Sequence, residues 1–116
     1  DSDAYNDDLP YFVPVAGRRH LVLPYAFDTN DMQFQHTQRF ATAAQFAEYC
    51  CDAYDWLWNE GEHAPRMMSI GLHLRMIGRP ARMQALERIL RHLHARPGAW
   101  IATREQIARH WIEHAG

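Results

Sequence analysis

The chain of 116 residues lacks the features that mark membrane-bound, exported or nucleic-acid-binding proteins. No apolar run approaches the roughly 20 residues that a helix needs to cross a bilayer, and no signal-peptide pattern opens the sequence. Twelve basic residues stand against fourteen acidic ones, for a formal net charge of −2, and they form no basic stripe that could neutralise phosphates. We therefore expect neither a membrane nor a nucleic acid as partner, and a cytoplasmic location.

Cysteine is also scarce. The two cysteines, Cys50 and Cys51, are adjacent within a helical pattern, where neighbouring side chains diverge and do not readily form a disulfide. Two free thiols fit a reducing compartment.

The sequence does contain alternating strand-like and helix-like segments. Residues 9–15 are too rich in proline for a central strand and predict an extended connector. The continuous apolar run at 20–27 predicts a strand covered on both faces, and the polar loop 28–31 follows it. From 42 to 59 the apolar residues recur at three- and four-residue intervals, which predicts a helix that ends at Gly61.

A second strand is predicted at 67–73. Pro80 then suits the first position of a helix, in which the predicted buried stripe is formed by Met83, Leu86, Leu90 and Leu93. A short third strand at 99–102 leads to Thr103 and Gln106, which match a capping box. The terminal helix should turn Ile107, Ala108 and Trp111 inward.

This order predicts an α/β fold with parallel strands and helical crossovers. Three such strands alone would leave two unpaired edges, so we expect the chain to be part of a larger barrel. In such a barrel the active site lies at the C-terminal ends of the strands, which draws attention to the loops 28–31, 73–79 and 103–104.

Several blocks in order carry a family resemblance. They are residues 3–11, 23–25 with 28–32, 69–73 continuing to 78–82, and 107–111. Together they resemble the polysaccharide deacetylase (NodB-homology) superfamily, closest to its allantoinase branch. The resemblance implies that residues 1–116 are the C-terminal portion of a (β/α)7 NodB-like catalytic barrel, incomplete on its own.

The resemblance also implies a function. It points to hydrolysis of non-peptide C–N bonds, foremost the opening of the hydantoin ring of allantoin to allantoate in purine catabolism. The alternatives are a metal-dependent N-deacetylase of polysaccharides or amino sugars, or a non-catalytic fragment that completes a barrel. The implied partners are a small ureide or N-acetyl substrate, the N-terminal part of the barrel in the same or a second chain, and further copies in a homo-oligomer.

The metal requirement differs between these functions. The superfamily's divalent metal is held by one Asp and two His residues of the N-terminal half, motifs that have no counterpart in this sequence. We therefore expect no metal and no cofactor from this chain, although a divalent metal remains compatible with the part of the barrel that carries those motifs.

One histidine is the foremost catalytic candidate. By its place after a late strand, His73 matches the superfamily histidine that protonates the leaving group. A carboxylate of the 28–31 loop, Asp28 or Asp31, would hold that imidazole in its charged form; we assign Asp28 to the catalytic pair. Without the resemblance, the favoured interpretation of His73 is a structural side chain at a strand end that donates a hydrogen bond to a backbone carbonyl.

The predicted substrate-binding residues lie in three places: the acidic segment that opens the chain, the 28–31 loop, and the residues just after His73. They are Asn6, Asp7, Asn30, Asp31, Arg75 and Arg79. The amide and carboxylate groups could accept hydrogen bonds from ureide N–H groups, whereas the guanidinium groups could bind a carbonyl or a carboxylate. The competing interpretations are Asx turns for the former and ion pairs at the barrel rim for the latter.

Two other features have ordinary explanations. His110 and His114 match a metalloprotease pattern, but they stand at the chain end with no third ligand after them, so a solvated helix end is favoured. Tyr54, Trp56 and Trp58 lie on a helix expected to cover the barrel, which favours core or subunit contact over a sugar platform.

Overall fold

The computed structural model describes residues 7–35 and 40–115. They divide into two compact units. The first contains described residues 7–25 and 100–115, and the second contains 26–35 and 40–99.

An antiparallel hairpin opens the first unit. Strand β1 (Tyr11–Val15) pairs with β2 (Arg18–Val22) in a register that sets Val15 opposite Arg18. Ala16 and Gly17 connect them with φ values of 50° and 76°, the pair of positive values that a two-residue hairpin turn requires.

The hairpin corrects two expectations. Residues 9–15 are not merely a connector, because 11–15 form a strand; both strands of a two-stranded ribbon are edges, and an edge tolerates Pro14. The predicted buried strand at 20–27 is also wrong in extent. Its backbone leaves the ladder after Val22, and the first three residues of β2 are exposed.

Helix α4 (Arg104–Ala115) completes the first unit. Its predicted capping box is confirmed: the Gln106 amide donates to Thr103 Oγ1 at 3.2 Å, and the Thr103 amide donates to Gln106 Oε1 at 2.9 Å. Arg104 donates through its guanidinium to the backbone carbonyl of Leu23. Ile107, Ala108 and Trp111 are half-buried, as the predicted inward face requires.

The second unit is built on helix α1 (Ala43–Glu60). Thr42 caps it in a capping box with Gln45. Phe46, Ala47 and the two cysteines are buried on its inner face. Both thiols are free, as predicted, and burial raises the pKa of the Cys50 thiol to about 12, so this thiol is not ionised near neutral pH.

Helix α3 (Pro80–His94) packs against α1, and the short helix α2 (Leu74–Ile77) packs against α3. Pro80 begins α3, as predicted. The predicted stripe of α3 is confirmed in part: Leu86 and Leu93 pack against the core, whereas Met83 and Leu90 are exposed. Ala85 and Ile89, which were not predicted, are buried instead. None of the described helices is both long and apolar enough to cross a membrane.

The predicted second and third parallel strands are absent as ladders within the described residues. Residues 65–70 and 99–103 carry no assigned secondary structure, and the one parallel contact is an isolated bridge between Asn30 and Gly71. A strand is defined by hydrogen bonds to a neighbour. An apolar sequence pattern predicts extended backbone, but it cannot supply the neighbouring strand.

A charged cluster ties α1 to the end of α3. Asp55 Oδ1 lies 2.7 Å from His92 Nε2 and 2.9 Å from Arg96 Nη2. Partial burial acts to raise the pKa of Asp55, but hydrogen bonds and positive charge from His92 and Arg96 outweigh it, so this pKa lies below its ordinary value.

Acid should therefore weaken this cluster. A carboxyl whose pKa is lowered by folding contributes stability above its unfolded pKa of about 3.9 and loses it as the pH falls through the folded value. We expect Asp55→Asn to lower the free energy of unfolding by about 1 kcal/mol at pH 7, since all three side chains are partly exposed to solvent. Urea unfolding at a series of pH values should show this difference shrinking below about pH 4.

The exposed Asp52 on the same helix provides the control, Asp52→Asn, which should change stability little. A difference between wild type and Asp55→Asn that stays constant down to pH 2.5 would exclude the ion cluster as its source.

Candidate active site

The site is built from two backbone segments of the second unit. One is the 28–31 loop, which runs into a 3₁₀ helix at Asp31–Gln35; the other is the extended segment 69–73. Gly71 links them, because its amide donates to the Thr29 carbonyl at 2.8 Å and its carbonyl accepts from the Asp31 amide at 2.9 Å.

This bridge brings Asp31 against His73. Asp31 Oδ1 lies 2.7 Å from His73 Nδ1, and Asp31 Oδ2 accepts from the His73 backbone amide at 2.6 Å. The Asp31 side chain is 0% exposed and that of His73 is 35% exposed. A buried carboxylate is stable only when its oxygens are hydrogen-bonded, and here each oxygen has a partner on the same histidine.

The contact fixes the orientation of the imidazole. A carboxylate only accepts hydrogen bonds, so the proton of this contact is on Nδ1, which donates it as a hydrogen bond to Asp31 Oδ1. Nε2 is the opposite ring nitrogen, and it has no hydrogen-bond partner among the residues that the structure describes. His73 can therefore present Nε2 to a reacting group while Nδ1 is held.

Asp28 occupies a different place from the one predicted. Its Oδ2 accepts from the Tyr49 hydroxyl of α1 at 2.8 Å, and its side chain is exposed. The assignment of Asp28 to the catalytic pair is thus corrected in geometry: the Asn30–Gly71 bridge sets Asp31, three residues later, opposite His73. Both carboxylate oxygens of Asp31, which was predicted to bind substrate, are hydrogen-bonded to His73.

The other predicted polar ligands are engaged within their own loops. Asn30 is buried, its Oδ1 accepts from the Met32 amide at 2.9 Å, and its Nδ2 donates to the Ala26 carbonyl at 3.3 Å. Asp7 Oδ1 accepts from the amides of Asp8 and Leu9, the Asx-turn interpretation. These contacts weigh against substrate binding by Asn30, and they give the Asp7 side chain a role within its own turn. Asn6 lies outside the described residues.

The two arginines predicted to bind substrate are Arg75 and Arg79. Both follow His73 in the sequence, Arg75 within α2 and Arg79 just before α3. Both are exposed, and within the described ranges neither forms an ion pair. The rim ion pairs considered as their alternative are not present among these residues.

No metal set is assembled by this part of the chain. Among residues 7–35 and 40–115, no group of three or more His, Cys, Asp or Glu side chains could hold a metal ion. The rings of His110 and His114 stack with centroids 4.2 Å apart. The described residues thus do not fit the superfamily's metal site.

Sequence reasoning missed three residues around the site. Thr29 and Gln33 are buried polar side chains that donate to carbonyls of neighbouring segments, and Tyr49 binds Asp28. The available signal was weak: a neutral Thr and Gln beside aspartates look like ordinary loop residues, and Tyr49 lies on the helix without a distinguishing pattern.

Comparison with known proteins gives concordant results. A Schizosaccharomyces pombe protein provisionally named a polysaccharide deacetylase is 44% identical over 121 residues, which cover 96% of this chain. A crystal structure from Pseudomonas aeruginosa PAO1, described as a probable polysaccharide deacetylase, matches 98% of the chain with 53% identity and a TM-score of 0.93. The crystal structure of Puue allantoinase matches 98% with 49% identity and a TM-score of 0.95. No family model matches the chain.

These neighbours place the chain in the polysaccharide deacetylase family, with an allantoinase as a close structural neighbour, and it matches the C-terminal part of these relatives. The chain spans 38% of the length of the Schizosaccharomyces protein and 39% and 38% of the two crystal structures. The fold expectation, a portion of a NodB-like barrel, is therefore confirmed.

Proposed function

We propose that this chain supplies the proton-donating histidine of a hydrolase that cleaves non-peptide C–N bonds, with allantoin as substrate and allantoate as product. The observation that carries the proposal is the hydrogen-bonded pair of His73 and buried Asp31. The likeness to Puue allantoinase supports the choice of substrate.

The chemistry requires a proton at the departing nitrogen. Water adds to the carbonyl carbon, the C–N bond then breaks, and the nitrogen is a poor leaving group unless it is protonated. A charged His73 donates the Nε2 proton to that nitrogen and becomes neutral. Nδ1 keeps its own proton and stays hydrogen-bonded to Asp31. The proton of the attacking water passes to a base that we do not assign to this chain.

Arg75 and Arg79 complete the proposal on the substrate side. Their exposed guanidinium groups offer paired donors for a ureido carbonyl or for the carboxylate formed on ring opening. The remaining barrel strands, supplied by further residues of the same polypeptide or by a second one, would close the site, and the assembly would be a homo-oligomer acting in purine catabolism.

A second candidate function is a metal-dependent N-deacetylase of polysaccharides or amino sugars. The names of the Schizosaccharomyces and Pseudomonas relatives favour it. A non-catalytic role in completing a barrel is the third candidate, since the chain spans about two fifths of these relatives.

One assay separates the three. Allantoate formation from allantoin and acetate release from acetylated chitooligosaccharides are measured on the full-length protein that contains these residues, with and without a chelator. We expect allantoin turnover that survives chelation. Acetate release that the chelator abolishes would establish the deacetylase instead, and inactivity on both substrates would favour the non-catalytic role.

A further inference from the structure

The buried polar side chains of the described residues are concentrated in one short stretch: Thr29, Asn30, Asp31 and Gln33. Burying a polar group is costly unless it is hydrogen-bonded, and no described buried side chain lacks a partner. A stretch of buried polar side chains is stable only when all of its hydrogen bonds form, so these bonds fix the local structure around Asp31.

Thr29 makes the contact that reaches farthest along the second segment. Its hydroxyl, on a residue only 4% exposed, donates to the Ser69 carbonyl at 2.6 Å. That carbonyl lies four residues before His73. Asn30 and Gln33 donate instead to carbonyls of the preceding turn, at Ala26 and Phe27.

The links between the two segments fall at alternate residues. Thr29 holds Ser69 through its side chain, the backbones meet at Gly71, and Asp31 holds His73 through its carboxylate. Positions 69, 71 and 73 share one edge of an extended segment. Gly71 alone would act as a pivot, whereas three links in a row fix the direction of the segment.

We infer that Thr29 is a positioning residue for His73: its hydroxyl fixes the far end of the 69–73 segment and so keeps the imidazole on Asp31. Without it, the segment is held only at Gly71 and His73, so its far end can move and the alignment of Nδ1 with Oδ1 is weakened. The effect on catalysis rests on the function proposed above, but the alignment itself does not.

The test uses Thr29→Val, which keeps the shape of the side chain and removes the hydroxyl, in the full-length protein. The first readout is the NMR signal of the His73 Nδ1 proton, which is observable when a hydrogen bond protects it from exchange with water. We expect this signal to weaken or vanish. With an active substrate, kcat should fall roughly 10- to 100-fold, the size expected for misplacing a reacting group by about 1 Å, with KM within about twofold.

Thr29→Ser should restore both the signal and kcat, because it returns the hydroxyl. If the valine methyl prevents folding, Thr29→Ala takes its place with the same expected losses. The matched control is Thr42→Val, which removes the capping hydroxyl of α1 and should lower Tm while leaving the His73 signal and kcat unchanged.

The outcomes are separable. A His73 signal that persists unchanged in Thr29→Val, a failure of Thr29→Ser to restore it, or the same loss in Thr42→Val would overturn the inference. If the signal is lost and restored as expected while His73→Asn leaves kcat intact, Thr29 positions His73 but the proposed function fails.

Discussion

Replacing His73 by asparagine in the full-length protein should lower kcat by roughly 10² to 10⁴, the usual range for losing a general acid or base. KM should change much less, because the proton is transferred in the transition state and contributes little to substrate binding. The fold should survive. The side chain is 35% exposed, the backbone amide that binds Asp31 Oδ2 is retained, and an asparagine amide can still donate to Asp31 Oδ1.

Steady-state kinetics and thermal unfolding on the same preparation check this result. His63→Asn, at an exposed histidine in the turn after α1, is the matched control and should behave as wild type. If the imidazole of His73 is structural, the variant should instead lose thermal stability and keep most of its turnover.

Asp31→Asn should have the second largest effect, on both turnover and stability. The new amide nitrogen cannot accept a hydrogen bond, so one of the two His73 donors loses its acceptor at the fully buried side chain of residue 31. Stranding a buried donor costs about 1–3 kcal/mol. With the imidazole no longer held by a carboxylate, we expect kcat to fall by roughly 10² or more.

The neighbouring carboxylate gives a direct contrast. Asp28→Asn makes the same chemical change three residues earlier, at a side chain that binds Tyr49 and not His73. Urea unfolding and kcat should both change much less than in Asp31→Asn. The reverse order would return the supporting role to Asp28, where sequence reasoning first put it.

The helices were the predictable part of this fold because their signals are local. The capping box at Thr103, Pro80 at the first turn of α3 and the end of α1 near Gly61 all depend on residues a few positions apart. Such contacts form within one or two helical turns, so sequence spacing alone determines them.

The strands were less predictable because their hydrogen bonds are formed with segments that can be distant in the sequence. Residues 67–73 have the composition of a buried strand, yet their described partner is a single bridge at Asn30. Conversely, Pro14 argued against a strand that forms on an edge. Gly17 was the one local signal for this hairpin, and it was weak because Ala16 before it rarely adopts the positive φ that the turn requires.

The site divides in the same way. His73 was found through the family blocks and its place after a predicted strand, but its partner depends on which residue of the 28–31 loop faces it. Two aspartates three residues apart in one loop carry the same chemical signal. The choice of Asp31 follows from the parallel bridge between Asn30 and Gly71, a contact across 41 positions of the chain that no local pattern encodes.

The most direct test of the central claim is the structure of the full-length protein with an unreactive hydantoin or N-acetyl substrate analogue bound. We expect Nε2 of His73 to lie within about 3 Å of the nitrogen that hydrolysis would release, with Nδ1 still on Asp31. An analogue bound in the active site with that nitrogen beyond hydrogen-bond reach of His73, and closer to another proton donor, would contradict the account.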